Sequence, residues 1–265
     1  MTLQKKGGQI WILLCILSFL AAMSAVAMAT PTGSTIHQFK NETNGISAPV
    51  MLNESTGGGY IYTINISGSI QDQRWKAYVG NVTGKWVLAD VDGNAIYDWP
   101  LTSLIQGEIY VTRKAETVQW TNINCTYSGA GVNTSAPNSD ITNRIIEEQE
   151  NQALAFTNPD DNVTATFNVR NHSQMMVGNR IIPANTCYST FTYVNNTKQT
   201  QSTLFQELLL YDGLNNSVGS VVYATFVEDN ANGFDSGQYD FQLIVPNNGT
   251  SQTIVVPYYF YVELG

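Results

Sequence analysis

The sequence predicts an all-β protein, an antiparallel β-sandwich or meander with one short helix, whose sheet extends into pairing between subunits. Three observations carry this. Short runs of alternating apolar and polar residues succeed one another at even spacing from residue 60 to residue 264, with turn residues between them. A single stretch, residues 139–154, spaces its apolar residues near a helical period instead. Finally, 43% of the residues are hydrophobic and 11% aromatic while 12% are charged, which supplies a core and excludes a disordered chain. The 265-residue length allows one large β domain or two lobes divided at the helix.

At the N-terminus, Lys5 and Lys6 precede an apolar run from Ile10 to Val26 and the small residues Ala27 and Ala29. This order of charge, apolar run and small residues is that of a signal peptide over residues 1–29, cleaved after Ala29, with an uncleaved anchor as the alternative. The mature chain is then secreted, outside the cell, with no membrane attachment. Residues 30–58, rich in Gly, Thr and Asn and closing on Gly57-Gly58-Gly59, read as an extended arm. The β-rich domain follows over residues 59–265.

Within that domain the alternation predicts strands at 60–67, 76–79, 86–89, 95–99, 107–113 and 117–123. In the first, Tyr62, Ile64 and Ile66 face one way and Thr63, Asn65 and Ser67 the other. Asp90-Val91-Asp92-Gly93-Asn94 joins two of these runs and carries the Asp-Gly step of a hairpin turn. Ile141, Ile145, Ile146, Gln149 and Ala153 give the helix, with Asp140 as a cap. Strands resume at 163–169, 175–182, 186–194, 204–211, 218–227, 238–245 and 253–264.

Twelve basic against 21 acidic residues give a net charge of −9, which excludes a nucleic-acid binder dependent on a clustered basic surface. Cys15 lies in the signal, so Cys125 and Cys187 are the mature cysteines; they are expected to pair with each other, with two free thiols or bridges between subunits as the alternative. Asn-x-Ser/Thr acceptors stand at Asn41, Asn53, Asn65, Asn81, Asn124, Asn133, Asn162, Asn171, Asn195, Asn215 and Asn248. Glycans on some of these would keep a weakly charged surface soluble.

Few residues suit catalysis. His37 and His172 both read as surface residues without a nucleophile motif beside them, and Glu147 with Glu148 or Asp160 with Asp161 read as a solvated helix face and a turn. The one cofactor candidate is calcium, offered oxygens by Glu228, Asn230 and Asn232 ahead of Gly233; a solvated loop is the alternative. Trp75, Trp86, Trp99 and Trp120 sit in alternating segments and are expected in the core, although exposed in a row they would make a sugar platform.

The C-terminal strand is apolar on both faces. Tyr258, Phe260 and Val262 lie on one and Tyr259 and Tyr261 on the other, with Glu263 its single charge. Such a strand needs neighbours on both sides, so it is central in its own sheet or is the strand through which subunits assemble.

These closing segments, Tyr239 to Pro246 and Tyr258 to Leu264, together with Arg74-Trp75-Lys76-Ala77-Tyr78-Val79-Gly80-Asn81 and Gly107-Glu108-Ile109-Tyr110, resemble secreted archaeal surface proteins. The nearest resemblance is to the sheath-forming proteins of filamentous methanogens. It implies an insoluble β-rich tube built by lateral strand contacts, with copies of the chain as partners and no catalytic residues. The expectation is therefore a secreted, non-enzymatic structural protein that self-assembles through strand edges into a sheath or fibre. A carbohydrate-binding or adhesion module that recognises cell-surface glycans is the alternative.

Overall fold

The computed structural model describes residues 31–34, 72–101, 105–114, 118–126, 145–199, 204–213, 220–248 and 256–265. The signal segment, most of the arm, the 60–67 strand, Asp140 and the start of the predicted helix lie outside these residues, as do His37, Asn41, Asn53, Asn65, Asn133 and Asn215.

The described residues are mostly antiparallel sheet with two short helices, an all-β fold. The main sheet is built from β1 (Thr32–Gly33), β5 (Gly107–Thr112), β6 (Asn124–Cys125), β9 (Ser189–Phe191), β10 (Gln206–Tyr211), β11 (Val221–Phe226) and β15 (Tyr259–Leu264). Its order is β1-β15-β5-β11-β10-β6, and β9 shares with β6 the outer edge of β10. Strands from both sides of the helix thus interleave in one sheet. Every residue of β10 is buried, as are the first five of β11, because both faces of the sheet are covered.

One face carries Glu207, Leu209, Tyr223, Thr225, Val111 and Phe260 by register. It is covered by the ribbon of β2 (Trp75–Gly80) and β14 (Phe241–Pro246), by helix α1 (Ile145–Ala153) and by Phe167. Rings meet in succession here, Trp75 with Phe167, Phe167 with Tyr223, and Tyr223 with Tyr258, at centroid distances of 5.8–6.4 Å. The opposite face carries Glu108, Tyr110, Leu208, Leu210, Tyr261 and Glu263. Against it lie Trp120 and the hairpin of β7 (Met175–Val177) and β8 (Arg180–Ile182). Two further ribbons, β3 (Lys85–Ala89) with β4 (Ala95–Pro100) and β12 (Ala231–Asn232) with β13 (Gln238–Tyr239), stand outside the main sheet.

Several expected elements differ. Within the predicted 117–123 strand, Trp120–Asn122 form a 3₁₀ turn instead, and 175–182 is two strands around Gly178, which takes φ 58° in the turn. Residues 163–169 are not a strand but a helical turn, α2 (Val163–Thr166). Asn162 Oδ1 caps it by accepting the Ala165 amide at 2.7 Å, Asn151 accepts the Val163 amide, and Val163 and Phe167, four residues apart, are both fully buried. A well-placed cap and one helical apolar pair here outweigh the Val/Thr alternation. In α1 the buried face is Ile146, Glu147, Glu150, Asn151 and Leu154, whereas Gln149 and Ala153 turn outward. Its acids face inward because partners await them: Thr126 Oγ1 donates to Glu147 at 2.5 Å, and Arg113 holds Glu150 through two nitrogens. Glu147 is therefore buried, not part of a solvated face.

Candidate functional site

Among the described residues, the β3–β4 hairpin is the one strand pair in which every residue is exposed. Its turn is the expected one. Asp90 Oδ1 accepts the amides of Asp92 and Asn94, and Gly93 adopts φ 84°. Its base is fixed where Gly84, just ahead of β3, packs against the side chains of Leu264 and Leu101. Opposite residues in the register are Lys85 and Pro100, Trp86 and Trp99, Val87 and Asp98, and Leu88 and Tyr97.

Side chains two apart on a strand share a face, so Trp86, Leu88, Tyr97 and Trp99 form one apolar face. Lys85, Val87, Asp98 and Pro100 form the other, with Lys85 and Asp98 joined by an exposed ion pair at 2.5 Å. The four apolar side chains are 58%, 54%, 59% and 48% exposed in chain order. Tyr97 stands edge-on to Trp99, with ring centroids 4.8 Å apart and planes at 65°. This corrects the expectation that the tryptophans are core residues. Trp75 and Trp120 pack on the core, whereas Trp86 and Trp99 face solvent. Alternation in the sequence marks an apolar face but does not say which surface covers it.

The remaining candidates are placed as follows. Cys125 and Cys187 are bonded within the chain, their Cα atoms 4.9 Å apart. Cys125 pairs with Leu210, and Tyr188 O accepts the Leu209 amide, so the bridge joins the two segments that cover the edge of β10. His172 is buried, contrary to its reading as a surface residue. Its Nε2 accepts the amides of Thr186 at 3.0 Å and Cys187 at 2.8 Å, and its Nδ1–H donates to Ser173 O. Burial lowers its pKa.

Glu228 and Asn230 lie in the turn just ahead of β12, and Asn232 is the last residue of β12, paired with Gln238 of β13. The nearby Asp240 carboxylate accepts the amides of Asn230 and Val82, and burial raises the Glu228 pKa. Among the described residues no three acidic, His or Cys side chains gather as a metal-binding group. Of the Asn acceptors, Asn81 and Asn195 are exposed, while Asn124 accepts from Arg180 and Asn162 caps α2. Asn171 and Asn248 are half-buried.

Strand β15 pairs along its length with β5 and, on its other edge, with Thr32 and Gly33. Tyr258 Oη donates to Pro246 O, Phe260 packs edge-on to Tyr78, and Tyr261 Oη donates to Lys114 O. Tyr259 is 40% exposed, and Val262 packs on the core.

Carboxylates turned into the packed faces of the sheet form a class that alternation in the sequence does not mark. Glu108 and Glu263 are directly opposed in the β5–β15 register. Both oxygens of Glu263 accept the Gly178 amide, at 3.0 and 2.9 Å, and the Met176 amide donates to Glu108. Burial first and the neighbouring Glu263 second push the Glu108 pKa up to about 7. Compared with family models, with curated proteins and with solved structures, the chain matches none.

Proposed function

We propose that the chain is an exported structural subunit that associates with copies of itself through β surfaces to build an extracellular sheath or fibre. The observation that carries this is the apolar face of β3–β4, exposed on a ribbon that no other strand among the described residues joins. An isolated hairpin is marginal in water, and an exposed apolar patch marks an interaction surface. The low charge content and the resemblance to sheath-forming proteins support the same reading. The buried carboxylates serve backbone amides and ion pairs, which suits a structural rather than an enzymatic chain.

A carbohydrate-binding or adhesion module is the second reading, favoured by the same exposed Trp86 and Trp99. The 65° angle between Tyr97 and Trp99 counts against it, since a sugar ring stacks on a flat aromatic platform and this face is ridged. Calcium at Glu228, Asn230 and Asn232 is proposed only as an accessory. Electron microscopy and sedimentation of concentrated mature protein test the function. Ordered tubes or filaments are expected; a monodisperse monomer at high concentration overturns it.

A further inference from the structure

We infer that the apolar face of β3–β4 is covered by the same face of a second copy, the two hairpins lying antiparallel about a two-fold axis. This rests on the self-association reading and names its contact. The face is graded along its length, with Trp86 and Trp99 on the rung near the base and Leu88 with Tyr97 on the rung near the turn. An antiparallel two-fold places the bulky rung of one copy over the smaller rung of the other, which is how ridged faces interdigitate.

Charge selects the same direction. The turn carries the exposed acids Asp90 and Asp92, whereas at the base Lys85 lies on the other face, neutralised by Asp98. Antiparallel docking keeps the two acidic turns at opposite ends of the contact, whereas parallel docking would bring them together. The edge-on Tyr97 ring leaves a step beside Trp99 that a partner side chain fills.

Area sets the strength. Aromatic side chains bury roughly 150–250 Å² each, so four half-exposed apolar side chains offer on the order of 400 Å² per copy. A standard stable interface uses about 800 Å² per partner. The hairpin contact is therefore weak and concentration-dependent alone, and becomes firm when other contacts repeat it along an assembly.

The test is sedimentation equilibrium of the mature chain over a concentration series, with Leu88→Glu and Trp86→Lys as separate variants. Thermal melts confirm that each folds, as expected for side chains outside the core. Each variant should weaken self-association by roughly 30-fold, the loss typical of a hot-spot residue. Mixing the two should restore it, because the two-fold sets position 88 of one copy over position 86 of the other. Trp86→Phe should associate like the parent.

A parent that assembles while both variants assemble equally well overturns the hairpin contact and leaves self-association standing. Variants that weaken without rescue on mixing overturn the two-fold. A parent that stays monomeric throughout, or whose tryptophan emission shifts with soluble oligosaccharide while it stays monomeric, overturns the contact and the self-association reading together.

Discussion

Glu207 of β10 accepts the amide of Ile244 of β14 at 3.0 Å, and through this bond a fully buried carboxyl group closes the free edge of a ribbon against the face of the main sheet. Two residues along, Thr225 Oγ1 donates to Gln242 O on the same edge. The opposite face repeats the device, with Glu108, Tyr110 and Glu263 serving the backbone of Met176 and Gly178. A strand edge laid on an apolar sheet would leave its amides without partners, at a cost of about 1–3 kcal/mol each. Side chains rising from the sheet remove that cost.

The first prediction concerns the form of Glu207. Its carboxyl is fully buried, its Oε1 has no hydrogen-bond partner among the described residues, and burial raises its pKa. The neutral acid is the form that fits. Glu207→Gln keeps an acceptor for the Ile244 amide and should match the parent near pH 4 and equal or exceed it near pH 8. Glu207→Leu should lose about 1–3 kcal/mol at both. Urea unfolding at the two pH values reads this, and a parent clearly more stable than Glu207→Gln at pH 8 would contradict it.

The second prediction is a pH dependence from Glu108. Its folded pKa of about 7 stands above an unfolded value near 4.5, so between these limits the folded state binds more protons. Stability contributed by the neutral acid is complete below about pH 4.5 and is lost as pH rises through 7, about 3 kcal/mol in all. The β7–β8 hairpin, seated on Glu108 and Glu263, should show the loss first as faster amide exchange at Met176 and Gly178. Glu108→Gln should flatten this limb of the stability profile. An unchanged slope in that variant would place the titration elsewhere.

How far the sequence carries can be judged from particular residues. Strand positions were legible wherever alternation coincided with turn chemistry, as in the Asp90–Asn94 turn between β3 and β4. Alternation failed at residues 163–169, where the Asn162 cap and the amide partner Asn151, twelve residues before Val163, decided the outcome. It also failed to place Trp86 and Trp99, because an apolar face left open to solvent has the same period as one that packs on the core. The buried acids were illegible for a third reason: Glu147, Glu207 and Glu263 meet their partners across 21, 37 and 85 positions of sequence.

The third prediction concerns the Cys125–Cys187 bridge. It closes a separation of 62 residues and joins the two segments, at β6 and ahead of β9, that together cover β10. On the chain-entropy model such a loop contributes about 4 kcal/mol. Replacing both cysteines with serine should lower stability by about that amount and expose the Leu208–Tyr211 edge to exchange and to pairing with other chains. Peptide mapping without reduction should recover the two cysteines linked within one chain; chiefly inter-chain species would refute the assignment.

The fourth prediction joins the bridge to pH through His172. The Nε2 atom accepts two backbone amides, from Thr186 and Cys187, while Nδ1 lies 2.8 Å from Ser173 O and must carry the proton it donates. Protonating Nε2 would set an N–H against two other N–H groups in a buried position, so the neutral ring alone is compatible with the fold, and its folded pKa is lowered. The stability this contributes is present above the unfolded pKa of about 6.5 and is lost as pH falls through the folded value. That slope opposes the one from Glu108, and the two are separable by variant. Glu108→Gln removes the limb lost on raising pH, and His172→Gln, whose amide oxygen accepts near the position of Nε2 without titrating, should remove the limb lost on acidification while the bridge still forms. His172→Leu leaves both amides unpaired and should lose about 2–4 kcal/mol across the range, with slower closure of the Cys125–Cys187 bridge on refolding. Chemical unfolding from pH 4 to 8 decides the matter: if His172→Gln keeps the parent's loss of stability on acidification, the buried ring is not its source.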